Sequence, residues 1–124
     1  KAWNRLTAMR GLLVYFTREK KSFSEIAKAA AKAELESVLD RKVGSFSTGM
    51  RQRLGIAQAI MEDPEILILD EPMNGLDNAG VQDIRALLLE LKAQGKTILL
   101  ASHNHEDIAA LCDTVHEMDG GVLL

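Results

Sequence analysis

Cysteine is nearly absent from this sequence. Cys112 stands alone, so no disulfide can form within the chain, which suits a reducing compartment. Aromatic residues are also scarce, with one Trp, one Tyr and three Phe, so aliphatic side chains must carry the packing. Enough of them are present, because 47% of the chain is hydrophobic and its 124 residues can bury a real core. No apolar run approaches the ~20 residues that span a bilayer. The run from Gly11 to Phe16 is too short for a secretory core and has no small-residue cleavage site after it. The phosphate-cradling pattern G-x-x-x-x-G-K-[ST] does not occur anywhere.

The net charge of −3 makes no general case for nucleic acid. The charge is uneven, however. Residues 1–42 hold ten Lys/Arg against five Asp/Glu, whereas residues 43–124 hold five against thirteen. Two subregions with different neighbours are implied, although solvated helix faces account for the basic half equally well.

Hydrophobic spacing organises the rest. Residues 2–16 read as a short helix or an irregular apolar segment, and residues 22–40 as a Ser-capped, alanine-rich helix. Residues 39–46 read as a polar connector. "STGMRQRLGIAQAI" is helical by spacing and ends before Pro64. "EILILD" is apolar on both faces, the mark of a buried parallel strand. "NAGVQDIRALLLELKAQG" is an amphipathic helix closed by Gly95. "KTILLAS" predicts a second buried strand, "NHEDIAALCD" a short helix, and "TVHEMDGGVLL" two strands about a Gly-Gly turn. The alternation β–α–β–α–β predicts an α/β fold with a parallel sheet.

Parallel strands end on one edge, and ligands of open α/β sheets bind beyond it. The first strand ends in Asp70 and Glu71, the second in Ser102 and His103. Neighbouring carboxylates on a strand point apart, so one is suited to a cation's water shell and the other to orienting or deprotonating a water. His103 is suited to an anion or to the same water. Each has a plainer reading. An Asp-Glu pair after a strand can be a solvated loop, and His103, His105 and Glu106 have poor spacing for a metal on one helix face. His116 is expected to face solvent or neighbours in its strand, and Met50, Met61, Met73 and Met118 to fill gaps.

The segment at 45–53 raises a separate question. A helix start concentrates unpaired N–H groups and partial positive charge. Arg51 and Arg53 add to it, which points to a negative ligand. An ordinary Ser cap explains Ser47 as well, but not the small residues Thr48 and Gly49 before a basic helix.

Four segments in this order resemble the ATP-binding cassette (ABC) ATPases. "FSTGM" (Phe46–Met50) resembles the signature loop, "ILILDEP" (Ile66–Pro72) the Walker B strand with its glutamate, "NGLD" (Asn74–Asp77) the D-loop, and "ASH" (Ala101–His103) the switch histidine. The likeness is firm over residues 42–124 and looser before them. The wording of "DEPMNGLD" and "LCDTVHEMDGGVL" looks most like ATP-binding subunits of drug or bacteriocin exporters.

The resemblance implies a partial P-loop NTPase fold, with residues 1–62 from the helical signature subdomain and 63–124 from the C-terminal part of the ATPase core. It lacks the phosphate-loop strand, which would lie between "KTILLAS" and "TVHEM", and no Q-loop is identifiable before residue 40. It implies ATP and Mg²⁺ as cofactors. Glu71 would polarise the attacking water, His103 would sense the γ-phosphate, and Asp70 would hold the metal through its water shell. Ser47, Thr48 and Gly49 would contact the triphosphate held by a second ATPase domain in a head-to-tail dimer, with Asp77 at the seam. Thr48 and Met50 stand where the family most often has Gly and Gln. The implied partners are that second domain and a membrane-spanning subunit at the cytoplasmic face of the membrane, with no nucleic acid. Two alternatives remain: a degenerate fragment acting as a binding module in trans, and an ABC ATPase outside transport. Extra basic tracts would favour the latter, and none is present.

Overall fold

The structure is a computed structural model that describes residues 41–124. The readings of 2–16 and 22–40 therefore lie outside the described residues.

A short 3-10 turn at Val43–Ser45 leads into helix α1, Thr48–Ile60. Ser47 caps α1 from an extended backbone, and its Oγ accepts the Met50 N–H at 3.2 Å. Strand β1 is Ile66–Asp70, helix α2 Asn78–Ala93, strand β2 Thr97–Ala101 and helix α3 His105–Leu111. Strands β3, Met118–Asp119, and β4, Val122–Leu123, form a hairpin. Gly120 and Gly121 both have positive φ, 54° and 81°, which a two-residue hairpin turn with right-handed strand twist requires.

Helix α2 is delimited at both ends by its own sequence. Asp77 caps it, accepting the Gly80 N–H at 2.7 Å. Past its end, Gly95 adopts φ +90°, and the N–H groups of Gly95 and Lys96 close on the carbonyls of Lys92 and Leu91 at 2.9 and 3.2 Å. Lys96 then anchors the start of β2, donating to Asp63 Oδ1 at 2.5 Å and to the Pro64 carbonyl at 2.8 Å.

β1 and β2 are parallel, from Ile66 opposite Thr97 to Asp70 opposite Ala101. The connection through α2 makes them a β–α–β unit, as the alternation predicted. One face of this ribbon is covered. Leu67 and Leu69 pack with Ile56 and Ile60 of α1, with Ile84, Leu87, Leu88 and Leu91 of α2, and with Met73 and Leu111. Ile98 and Leu100 of β2 join from the edge. Helix α1, on the signature side of the expected boundary at 62, thus shares its core with the strand beyond it.

The other face departs from expectation. Both strands read as buried on two sides, yet Ile66, Ile68 and Leu99 are 64%, 73% and 62% exposed. The physical reason is that α1 and α2 both pack on the Leu67 face, and no described residue covers the opposite one. The free edge of β2 is also open: among the described residues β2 pairs only with β1. A trough of about 830 Å³ runs between β2 and the β3–β4 hairpin, lined in part by Ile98, Leu100, Val115, Met118 and Leu123. Met118 is accordingly exposed at 66%, whereas Met73 is in the core.

Candidate functional site: an acid–imidazole pair and a capped turn

The strand ends converge as the topology requires. Glu71 follows β1 and donates its N–H to the Ala101 carbonyl at the end of β2, 2.9 Å away. Its own backbone is left-handed, φ +45°, a conformation that costs a non-glycine residue roughly 1–2 kcal/mol. The turn throws the carboxylate across the rim toward His103. Oε1 of Glu71 accepts two hydrogen bonds from that residue, one from the backbone N–H at 3.1 Å and one from Nδ1 at 2.6 Å. An ionised carboxylate only accepts, so Nδ1 carries the proton and Nε2 faces outward. The hydrogen bond to Glu71, and then the carboxylate's negative charge, raise the His103 pKa above its ordinary value.

Asp70 ends β1 with an exposed side chain. His105 and Glu106 do not join His103 in a metal site, and among the described residues no three His, Cys, Asp or Glu side chains cluster to hold a metal. His116 is exposed, in a segment without strand pairing.

The 47–49 turn lies on a different surface. Ser47, Thr48 and Gly49 share an open hollow of about 460 Å³ with Met50, Arg53, Gly75, Leu76 and Asp77. The structure thus brings Asp77 beside the turn while also using it as the α2 cap. It gives the small residues an intramolecular reason as well. A Cβ on Gly49 would stand 3.2 Å from the Gly75 carbonyl oxygen, and one on Gly75 would stand 2.6 Å from the Thr48 γ-methyl. Thr48 therefore has its methyl packed over Gly75.

The arginines correct the sequence reading. Arg53 donates to Asp83 of α2 at 3.0 Å, and Arg51 reaches the Gly44 carbonyl at 3.4 Å. Both are engaged inside the chain, so they are not evidence of an external anion. Asp83 lies 30 residues from Arg53 and comes beside it only through the packing of α1 on α2.

Two groups that sequence reasoning passed over hold the rim in place. Gln52 of α1 donates from Nε2 to the Glu71 carbonyl at 2.9 Å. Arg85 of α2 grips the buried Asp107 of α3, with Nε 2.8 Å from Oδ1, and so fixes the helix that follows His103. The only sequence signal for either was position: Gln52 follows the capped turn, and Arg85 interrupts an otherwise apolar run.

Comparison with known proteins decides the family. The profile of the family described as "ABC transporter" matches residues 2–74, more than half of the chain. The chain belongs to the ABC transporter family. It is 47% identical over 102 residues to the uncharacterized ABC transporter ATP-binding protein YybJ of Bacillus subtilis, covering 82% of this chain and 47% of that protein. It is 38% identical over 113 residues to the lantibiotic transport ATP-binding protein SrtF of Streptococcus pyogenes, covering 91% of this chain and 49% of that one. The fold matches the dimeric structure of the ABC transporter cassette MJ0796 with a TM-score of 0.73 at 25% identity, covering 88% of this chain and 50% of the cassette. The same cassette has been solved in a post-hydrolysis state bound to ADP and Pi. The expected partial P-loop NTPase architecture is therefore correct, and the likeness to exporter subunits has a counterpart in SrtF. The chain spans about half the length of these ABC relatives.

Proposed function

We propose that this chain forms part of the ATP-binding subunit of an ABC transporter, in which ATP hydrolysis at a head-to-tail pair of cassettes drives export across a membrane. The observation that carries the reading is the Glu71–His103 pair, joined at 2.6 Å across 32 residues of sequence at the rim where α/β sheets bind ligands.

The geometry supports the following roles. Glu71 spends Oε1 on His103, which leaves Oε2 to accept a proton from an attacking water. His103 keeps Nε2 for a phosphate oxygen, and its raised pKa favours the donating form. Asp70 alone fits a hydrated ion that takes its remaining ligands from water and phosphate, since the described residues offer no all-protein cage. Bound Mg²⁺ would offset charge on the transferring phosphoryl group. Ser47, Thr48 and Gly49 line the open hollow, where the N–H groups at Thr48 and Gly49 and the Ser47 hydroxyl would serve the triphosphate of the second cassette. Asp77 lines the same seam. The membrane-spanning subunit selects the cargo and places the assembly at the cytoplasmic face.

A second reading is favoured by one observation. The 124 residues contain no G-x-x-x-x-G-K-[ST] loop, so the chain by itself lacks a nucleotide cradle and serves only as a binding module for another cassette. Calorimetric titration of the chain with Mg-ATP tests this. We expect no tight, Mg-dependent binding and no hydrolysis by the chain alone; micromolar binding would overturn it.

A further inference from the structure

Gln52 sits in α1 between Met50 and Arg53, which line the hollow, and its side chain reaches out of the helix to a backbone atom of the rim. Its Nε2 donates to the Glu71 carbonyl at 2.9 Å in a partly buried contact. That carbonyl belongs to the one rim residue with a left-handed backbone, φ +45°. A strained backbone persists only where surrounding contacts over-determine it. Here the contacts to its backbone are few: the Glu71 N–H on the Ala101 carbonyl, the Asn74 N–H on the Glu71 carbonyl at 3.1 Å, and Gln52 on the same carbonyl. The first two are made by β2 and by the turn itself. Gln52 is the contact that comes from the signature helix. The same helix packs Thr48 over Gly75, four residues along from Glu71, so α1 touches the 71–77 turn at both ends.

We infer that Gln52 is a positioning residue: by holding the Glu71 carbonyl it sets the direction of the Glu71 carboxylate toward His103 and ties the 47–49 turn to the acid–imidazole pair of the same chain. Any displacement of α1 by a partner at the turn is then transmitted to the rim through one side-chain amide. The importance of this coupling for hydrolysis rests on the function proposed above; the coupling itself does not, and it can be read without nucleotide.

The reporter is the tautomer of His103. The pair holds the proton on Nδ1, whereas an unconstrained neutral imidazole prefers Nε2. Ring ¹⁵N shifts of His103, recorded on the chain at a pH where the imidazole is neutral, measure the ratio. Gln52→Met keeps the length of the side chain and removes the donor. We expect it to shift the ratio toward Nε2–H by about threefold or more, with Gln52→Ala giving the same shift and Glu71→Ala giving the largest. Gln58→Met, on the same helix but away from the rim, should leave the ratio unchanged. A wild-type ratio in both Gln52 variants overturns the inference, as does a lowered melting temperature with no change in tautomer, because either result makes Gln52 a stabilising contact only. A loss of the tautomer signal with normal hydrolysis in a complete cassette would instead leave the coupling intact and remove its link to function.

Discussion

The two candidate surfaces of this chain are built in opposite ways. The rim at Glu71 and His103 is wired inside the chain, with a strained backbone, a 2.6 Å hydrogen bond and supports from α1 and β2. The 47–49 turn makes one side-chain cap bond, at 3.2 Å, and its residues line an open hollow. Its two arginines are neutralised or occupied by their own chain. One surface is preassembled and the other waits for something to fill it. That contrast is what a composite site between two molecules requires of each partner.

Substitutions can break the contrast or sharpen it. The largest effect is expected where both surfaces share a foundation. Ile84 is 1% exposed at the centre of the core, and Ile84→Ala should cost about 2–5 kcal/mol in denaturant unfolding, lowering both surfaces together. Arg85→Ala leaves Asp107, 3% exposed, as a buried charge without its ion-pair partner, and should cost about 3 kcal/mol. Its effect should fall on α3 and the rim, seen as amide shifts at 103–111, and spare the turn.

Gly75→Ala acts on the other surface. It puts a Cβ on a residue at φ +76° and 2.6 Å from the Thr48 γ-methyl, for a loss of about 1–3 kcal/mol. Adding Thr48→Ser should recover the steric part and not the backbone part, as a double-mutant cycle would reveal. Ser47→Ala removes the cap and should cost about 1 kcal/mol, with the rim unchanged.

The smallest effect is electrostatic. The His103 pKa is raised in the folded chain, so the pair's contribution is complete below the ordinary imidazole pKa and is lost as pH rises through the folded value. The stability difference between wild type and His103→Ala should therefore shrink as pH rises above the ordinary imidazole pKa; a difference that grows with pH would reverse the assignment.

Much of this was legible in the residues. Asp77 and Gly95 bracket α2, the apolar runs mark β1 and β2, and alternation alone brings 71 and 103 to one edge. Burial on both sheet faces was misread, because a strand's composition records what it is suited to pack against, not what is there. Ile68 is as aliphatic as Leu67 yet exposed. The partners of Arg53, Arg85 and Gln52 were not legible either. Each contact spans between 19 and 30 residues of chain, and only the packing of α1 and α3 against their neighbours creates it. Without those partners, two arginines beside a helix start read as a ligand signal.

The central claim is that the rim of one chain and the 47–49 turn of another complete a single site. Mixed dimers of complete cassettes containing residues 41–124 test it most directly, with Glu71→Gln and Ser47→Arg placed either on opposite subunits or on the same one. Placed on opposite subunits, both lesions fall in one composite site, and single-turnover phosphate release should survive at the other. Placed on one subunit, each site carries a lesion and release should fail. The inverse pattern, activity only with both lesions on one subunit, would mean that the turn serves its own chain's nucleotide and would contradict the account.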